Sequence, residues 1–498
     1  MKYSRRTILA GGLFASVAVA MAACGAPLPT PAVPTVAPPK PAEPTKPAPA
    51  AEKPADKPVA AAPAAPAAAE KPADKPGTAA PAAAKPAVGA GPAAVIRMHS
   101  RTGSEGTKPE AAIKVIKERW PNIDVKLETF PGDEFTQKIL TLAAGGQIGD
   151  LMWGSPNNYH ISVGNNLYAD LMPMVQSSNY DLKPFFKGVM EYLTASDGKL
   201  YSLPYKAHPG APVIWFNKEM FAKEGLPNGP QPKTFDELTE IAKKMTKGGT
   251  SGNTETWGFL PNNSINHAMN CLVRSWGVEP VEPILKAKKS LMDGPKHLEA
   301  FTWLHSMYQR HKVSPVPGPG IDVGEQVLVA GKAAMFQASS STKGAAAAIG
   351  NKFTLANVLM PPGPGGQVGS IMIPDNFGMY QKSKSPNEAF TVLGYFCGKE
   401  HGIRLGLPEG GGSWTCGART DVFYSDELMK STPNHKVFAD IVEKTGAPWY
   451  PDNFRLNEYE TTLTQGYQKI MLNATPPSAA SMKDLQSQLQ AVLDRPKP

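Results

Sequence analysis

Apolar positions along this chain fall into three regimes. From Ile8 to Ala23 they run almost unbroken, from Gly25 to Ala93 bulky side chains nearly vanish, and beyond 94 they become periodic. Val95-Ile96-Arg97-Met98-His99 predicts a first strand. Pro109 is placed to open a helix with Ile113, Ile116 and Trp120 on one face, and Pro121 to close it. Ile123, Val125 and Leu127 alternate, which predicts a second strand. A second helix is expected from Asp133 to Gly145-Gly146, where glycine is a natural stop. Asp150 to Trp153 is a short apolar run entering a polar turn, Gly154 to Tyr159. Strand, helix, strand, helix, strand indicates an open α/β sheet, and such sheets bind ligands just beyond their strand ends. Further along, Val213 to Phe216 predicts a strand. Thr234 and Glu237 frame a capping box before Leu238, Ile241, Ala242 and Met245 at helical spacing, and Leu485, Leu489 and Val492 mark a final helix.

Composition separates the regimes further. Residues 25–93 hold 19 of the 51 prolines and no aromatic residue, and the octet AEKPADKP occurs at 51–58 and again at 69–76. So little apolar bulk cannot offset the entropy of ordering, so residues 24–93 are expected to form an extended, disordered Pro/Ala-rich tether. The remaining 405 residues suffice for two domains with real cores. The formal charge of +8 shrinks to +3 there, because Lys2, Arg5 and Arg6 carry three and the tether two. No clustered basic face stands out, which argues against nucleic acid.

Ser4-Arg5-Arg6-Thr7-Ile8-Leu9 and the short apolar run after it read as a signal peptide over 1–23, and the paired arginines resemble the twin-arginine export signal. Met21-Ala22-Ala23-Cys24-Gly25 resembles a bacterial lipobox with Met where leucine is usual, which implies lipidation of Cys24. A plain cleaved signal is the alternative. A tether starting at once after Cys24 favours the lipid reading. Of the other cysteines, Cys271, Cys397 and Cys416, a Cys397–Cys416 disulfide is one option. Their odd number and the size of the chain favour buried thiols.

Catalytic signatures are absent: no HExxH, no GxSxG, no Walker loop, and no GxGxxG after a strand. His305 and His311 lie six apart, the wrong spacing for two metal ligands on one helical face. No cofactor and no metal is expected.

Five stretches in order and spacing carry a resemblance: FPGDEFTQKILTLAAGGQIGDL at 130–151, DGKLYSLP at 197–204, FNKEMF at 216–221, VAGKAAMF at 329–336 and SKSPNEAF at 383–390. Together they resemble the type 1 extracellular solute-binding proteins, which include the sugar receptors of ATP-driven importers. The resemblance covers essentially all of 94–498. It implies a two-lobe periplasmic-binding-protein-like fold (type II-like), each lobe an open α/β sheet, joined by hinge strands that close on a solute. By analogy the N-lobe spans 94–212 and 372–415, and the C-lobe 213–371 and 416–498. A ferric-ion receptor of the wider group would show adjacent tyrosines, and the chain has none.

A sugar site needs flat aromatic faces beside amides and carboxylates. Loops that the resemblance places on the cleft supply Ser104 and Glu105; Trp153, Asn157 and Asn158; His208; Asn262, Asn263 and Asn266; Gln337 and Ser339; Trp414; and Trp449 with Tyr450. Trp257 and Trp276 sit among apolar neighbours and are expected in the core. Trp153 is balanced between core and site, whereas Trp414 in a Gly-rich loop favours the cleft. The asparagines also suit turns, and Glu105 also suits a helix N-terminus. The expectation is a monomeric, lipid-anchored, exported receptor that delivers a mono- or oligosaccharide to ABC permease subunits. The alternatives are a polyol or other small polar solute, or a surface-anchored carbohydrate-active enzyme.

Overall fold

The computed structural model describes residues 93–497 except 103, 133, 195–197, 249–253, 263–264, 318–323, 340–341, 343–344, 408–415, 432–434 and 445–447. The signal, Cys24, the tether, Asn263 and Trp414 therefore lie outside the described residues.

The first three predicted strands form. β1 (Ala94–Arg101) lies parallel to β2 (Ile123–Phe130), Ala94 opposite Ile123 through Arg101 opposite Phe130, and β3 (Leu151–Gly154) runs parallel to β1 on its other side. Ile96 and Met98 of β1 and Ile123 and Val125 of β2 are buried, as the alternation requires. Helix α1 spans Ser104–Arg119, so Pro109 lies inside it instead of opening it. A turn and a half precedes the proline, whose missing N–H removes one rung of the ladder. Helix α2 (Phe135–Ala144) ends where Gly145 donates to the Thr141 carbonyl and Gly146 takes φ 65°, a conformation glycine reaches freely.

The sheet is completed by two strands far apart in sequence. Its order is β2-β1-β3-β8-β4, with β4 at Ser202–Gly210 and β8 at Ile371–Met379, β8 running antiparallel to both neighbours. β4 leads through Ala211-Pro212 into β5 (Val213–Asn217), the middle strand of an antiparallel three-stranded sheet with β6 (Met335–Ala338) and β7 (Leu355–Leu359). β4 and β8 thus carry two of the crossings between lobes. At their ends Ile371 lies opposite Gly210, whose carbonyl accepts from Cys271 Sγ at 2.7 Å. A Cβ at Gly210 would come within 2.8 Å of Ile371, so the crossing strands touch because that residue has none.

Each lobe has its own hydrophobic core. One gathers Ile96, Met98, Leu151, Phe377 and Phe396; the other gathers Phe221, Leu238, Phe259, Phe301 and Leu489. Burying each such side chain contributes roughly 1.5–3 kcal/mol. The helix at Phe235–Met245 is capped by Thr234, which accepts from the Glu237 N–H at 3.1 Å. Glu237 reaches back to the Lys233 N–H at 2.8 Å, one residue before the reciprocal position of the box. The final helix, Ala479–Leu493, buries Leu485, Leu489 and Val492. Trp276 is in the second core; Trp257 packs beside a smaller cluster around Trp215 and Leu260.

One boundary moves. Of the described residues in 416–442, placed with the C-lobe by analogy, Cys416, Val422, Phe423, Leu428, Ala439 and Val442 are buried in the N-lobe core, Phe438 packs with Trp215 and Leu260, and the Ala207 N–H of β4 donates to the Cys416 carbonyl. Beyond it the chain alternates between cores: Trp449 packs in the second, Tyr450 in the first and Leu456 in the second again. Cys271, Cys397 and Cys416 are buried thiols. Burial raises all three, Cys271 to about 12, which leaves them inert.

Candidate functional site

β1 and β3 deliver their last residues, Arg101 and Trp153-Gly154, to the carboxyl edge of the N-lobe sheet. There β8 brings Asn376 opposite Gly154. Trp153 is only 4% exposed. Its ring meets Phe135 edge-on at 5.3 Å, and the Arg101 guanidinium lies 4.8 Å from its centroid. Its buried Nε1 has no hydrogen-bond partner among the described residues. Asn376 is fully buried with both amide atoms unpartnered, and its amide lies against Gly154, where any Cβ would overlap it. Buried indole and amide groups normally find partners, and each one left alone costs about 1–3 kcal/mol. Two donors and an acceptor therefore stand unsatisfied at the end of the sheet.

Beside them, Lys206 of β4 and Asp375 of β8 form an ion pair at 3.1 Å with side chains 2% and 7% exposed. The register shifts here: Asp375 faces Lys206 and Asn376 faces Pro204, leaving Tyr205 as an extra residue of β4. Tyr205 turns into the core against Phe377 and His401. His208, half-buried, lies opposite Ile373.

The C-lobe contributes β5 and β6. Trp215 Nε1 donates to the Ser339 carbonyl at 2.8 Å, and Gln337 Nε2 donates to the Ala211 carbonyl at 3.0 Å, tying that sheet to the crossing. Asn262 is half-buried just beyond Leu260, which bridges to Phe336.

The remaining candidates take other places. Asn158 is buried, and its Oδ1 accepts from the Ser155 N–H at 2.7 Å, capping helix α3 (Pro156–Gly164). Ser104 and Glu105 start α1, Asn157 lies in α3, and Asn266 lies in the helix Ile265–Ser275. Trp449 packs in the C-lobe core, its ring centroid 4.7 Å from that of Tyr459. Tyr450 stacks on His160 at 3.6 Å, at the junction of the lobes and beside α3. The structure thus joins Trp153 to Arg101, Lys206, Asp375 and Asn376, none of which was a candidate. A signal for three of them was present: Lys206, Asp375 and Asn376 are polar residues inside strand segments otherwise almost wholly buried.

Among the described residues no three His, Cys, Asp or Glu side chains gather as a metal ion would require, and no helix is long and apolar enough to cross a membrane.

Two α/β lobes, two crossing strands and unsatisfied polar groups at a sheet's carboxyl edge define a hinged binding protein. The chain belongs to the bacterial extracellular solute-binding proteins, whose family model matches residues 103–402. Over 80 residues it is 36% identical to the sn-glycerol-3-phosphate-binding periplasmic protein of Brucella abortus, a match spanning 16% of this chain and 18% of that one. The fold is shared with an ABC substrate-binding protein from Listeria monocytogenes solved with cycloalternan, at TM-score 0.68 and 17% identity over 80% of this chain and 98% of that one. A solute-binding protein from Thermotoga lettingae bound with α-D-tagatose gives TM-score 0.67 and 17% identity, over 80% and 99% of the respective chains.

Proposed function

We propose that the protein captures a mono- or oligosaccharide between its lobes and presents it to the permease of an ABC importer. The observation that carries this reading is that two buried polar groups near the carboxyl end of β3, the Trp153 indole N–H and the Asn376 amide, have no hydrogen-bond partner among the described residues. A polyhydroxylated solute offers donors and acceptors for both, and its C–H face suits the Trp153 ring. His208, Asn262 and Ser339 flank the crossing strands and are assigned to the same cleft. Closure follows because a solute that touches both lobes binds the closed arrangement better. No covalent step is assigned to any residue. Sugar-bound proteins of the same fold support the reading, and the proposal includes export through the signal over 1–23 with Cys24 as the lipidated first residue.

A second reading rests on the relatives that bind sn-glycerol-3-phosphate and on Arg101 at the sheet edge. Calorimetric titration with maltose, maltotriose, mannobiose, tagatose and sn-glycerol-3-phosphate separates the two. Binding of a neutral sugar without the phosphate ester is the expected outcome. Binding of the ester alone selects the second reading, and new reducing ends in the oligosaccharide incubations would instead mark a hydrolase. With the bound sugar in hand, Trp153→Ala is expected to weaken affinity by about 1–3 kcal/mol, roughly ten- to a hundredfold. Unchanged affinity with a large fall in ligand-free melting temperature would return Trp153 to the core.

A further inference from the structure

A second cavity lies where α3 meets the C-terminal part of the chain. Its volume is about 350 Å³, near the lower end of small-molecule sites, about 300–1,000 Å³. α3 starts directly after β3 and runs back toward its amino end, so this cavity sits along the helix and away from the edge that holds Trp153 and Asn376. One wall is N-lobe, with His160, Tyr192 and Tyr450, which packs in that core; the other is Phe454, Lys286 and Lys497.

The walls are aromatic and ordered. His160 lies flat on Tyr450, 3.6 Å between centroids and 20° between planes, and Tyr192 meets both edge-on at 4.9 and 5.6 Å. His160 is 7% exposed and its Nε2 has no hydrogen-bond partner among the described residues. Lys497 Nζ stands 5.0 Å over the Phe454 ring, and neither Lys497 nor Lys286 pairs with a carboxylate among the described residues. Among the described residues Asp452 is the one acid lining the space, so cationic charge prevails there. Aromatic walls, two ammonium groups and a buried imidazole nitrogen match a flat anion.

We propose that this cavity binds a small aromatic carboxylate, its ring against the tyrosines and Phe454 and its carboxylate toward Lys286 and Lys497. Because the two lobes supply opposite walls, the guest favours one lobe arrangement, and linkage requires it to change affinity for the cleft solute, and the solute to change its affinity, by the same factor. The coupling rests on the cleft reading above; the binding itself does not.

The test is titration of the full chain with benzoate, benzyl alcohol and acetate, by calorimetry and ligand-observed NMR. Saturable binding of benzoate, near or below about 1 mM as nine heavy atoms allow, and clearly tighter than the other two, is expected. Lys497→Gln and Lys286→Asn (asparagine tolerates the φ of 61° at that position) should each weaken benzoate about three- to fivefold, the worth of one part-exposed ion pair. Trp153→Ala should leave it unchanged. Absence of saturable binding, equal binding of benzyl alcohol, or indifference to both lysine variants overturns the proposal. Loss of benzoate on Trp153→Ala would place it in the cleft and overturn it as well. Failure of the cleft reading alone would show as benzoate binding with no sugar binding.

Discussion

His401 is a buried ring with no hydrogen bond at either nitrogen among the described residues, packed among Tyr205, Tyr395 and Phe396. Burial, helped by Arg404, lowers its pKa to about 3. The folded state therefore holds it neutral, while the unfolded chain protonates it as pH falls below about 6.5. Its contribution is present above that value and is lost at about 1.4 kcal/mol per pH unit between about 6.5 and 3. His160 behaves in the same direction, lowered to about 3 by burial. His401→Phe keeps the packing and removes the titration. Urea unfolding from pH 7 to pH 5 should show a shallower loss of stability in the variant, by about 2 kcal/mol at pH 5. Equal slopes would mean that His401 is charged in the folded protein. Nothing in the periodic pattern exposed this residue, because a histidine inside a helix reads alike whether it faces water or a core.

At the scale of elements, the two crossing strands hold the lobes together, and Lys206 and Asp375 join them where the register shifts. A buried pair repays its desolvation only while both partners remain. Asp375→Ala should destabilise the protein by about 3–5 kcal/mol, because it removes the carboxylate 3.1 Å from the buried Lys206 ammonium. Lys206→Met with Asp375→Leu should recover most of that loss. Chemical unfolding of the three proteins checks it: a double variant no better than the single would show that the pair contributes more than its charges. β2 was legible from alternation, and β1 and β3 from short apolar runs. β8 was not, because all nine of its residues are buried and an element covered on both faces shows no alternation. The start of α1 was missed for a local reason, since a proline is tolerated well beyond the first residue when only one rung is lost.

At the scale of the molecule, the long Pro/Ala-rich segment after Cys24 has a use only if Cys24 is fixed to something. With the lipid anchor, the mature protein should partition into detergent and sediment with membranes. Cys24→Ser should release it to the soluble fraction, where folding and solute binding stay intact. A membrane-bound Cys24→Ser protein would exclude the anchor. The sequence by itself determined the α/β class, the first strands and helices, the absence of familiar catalytic motifs and the ordered stretches that mark the family. Those features are local, because periodicity reports which face of an element is buried and a motif needs only neighbours. Only the tertiary structure decided that Cys416, Val422, Phe423 and Leu428 pack in the N-lobe core, that Tyr450 stacks on His160, and that Trp153 shares an edge with Asn376, 223 residues away. Each of these depends on where β4 and β8 cross between the lobes, and no pattern within a short window of residues encodes a meeting of strands so far apart in the chain.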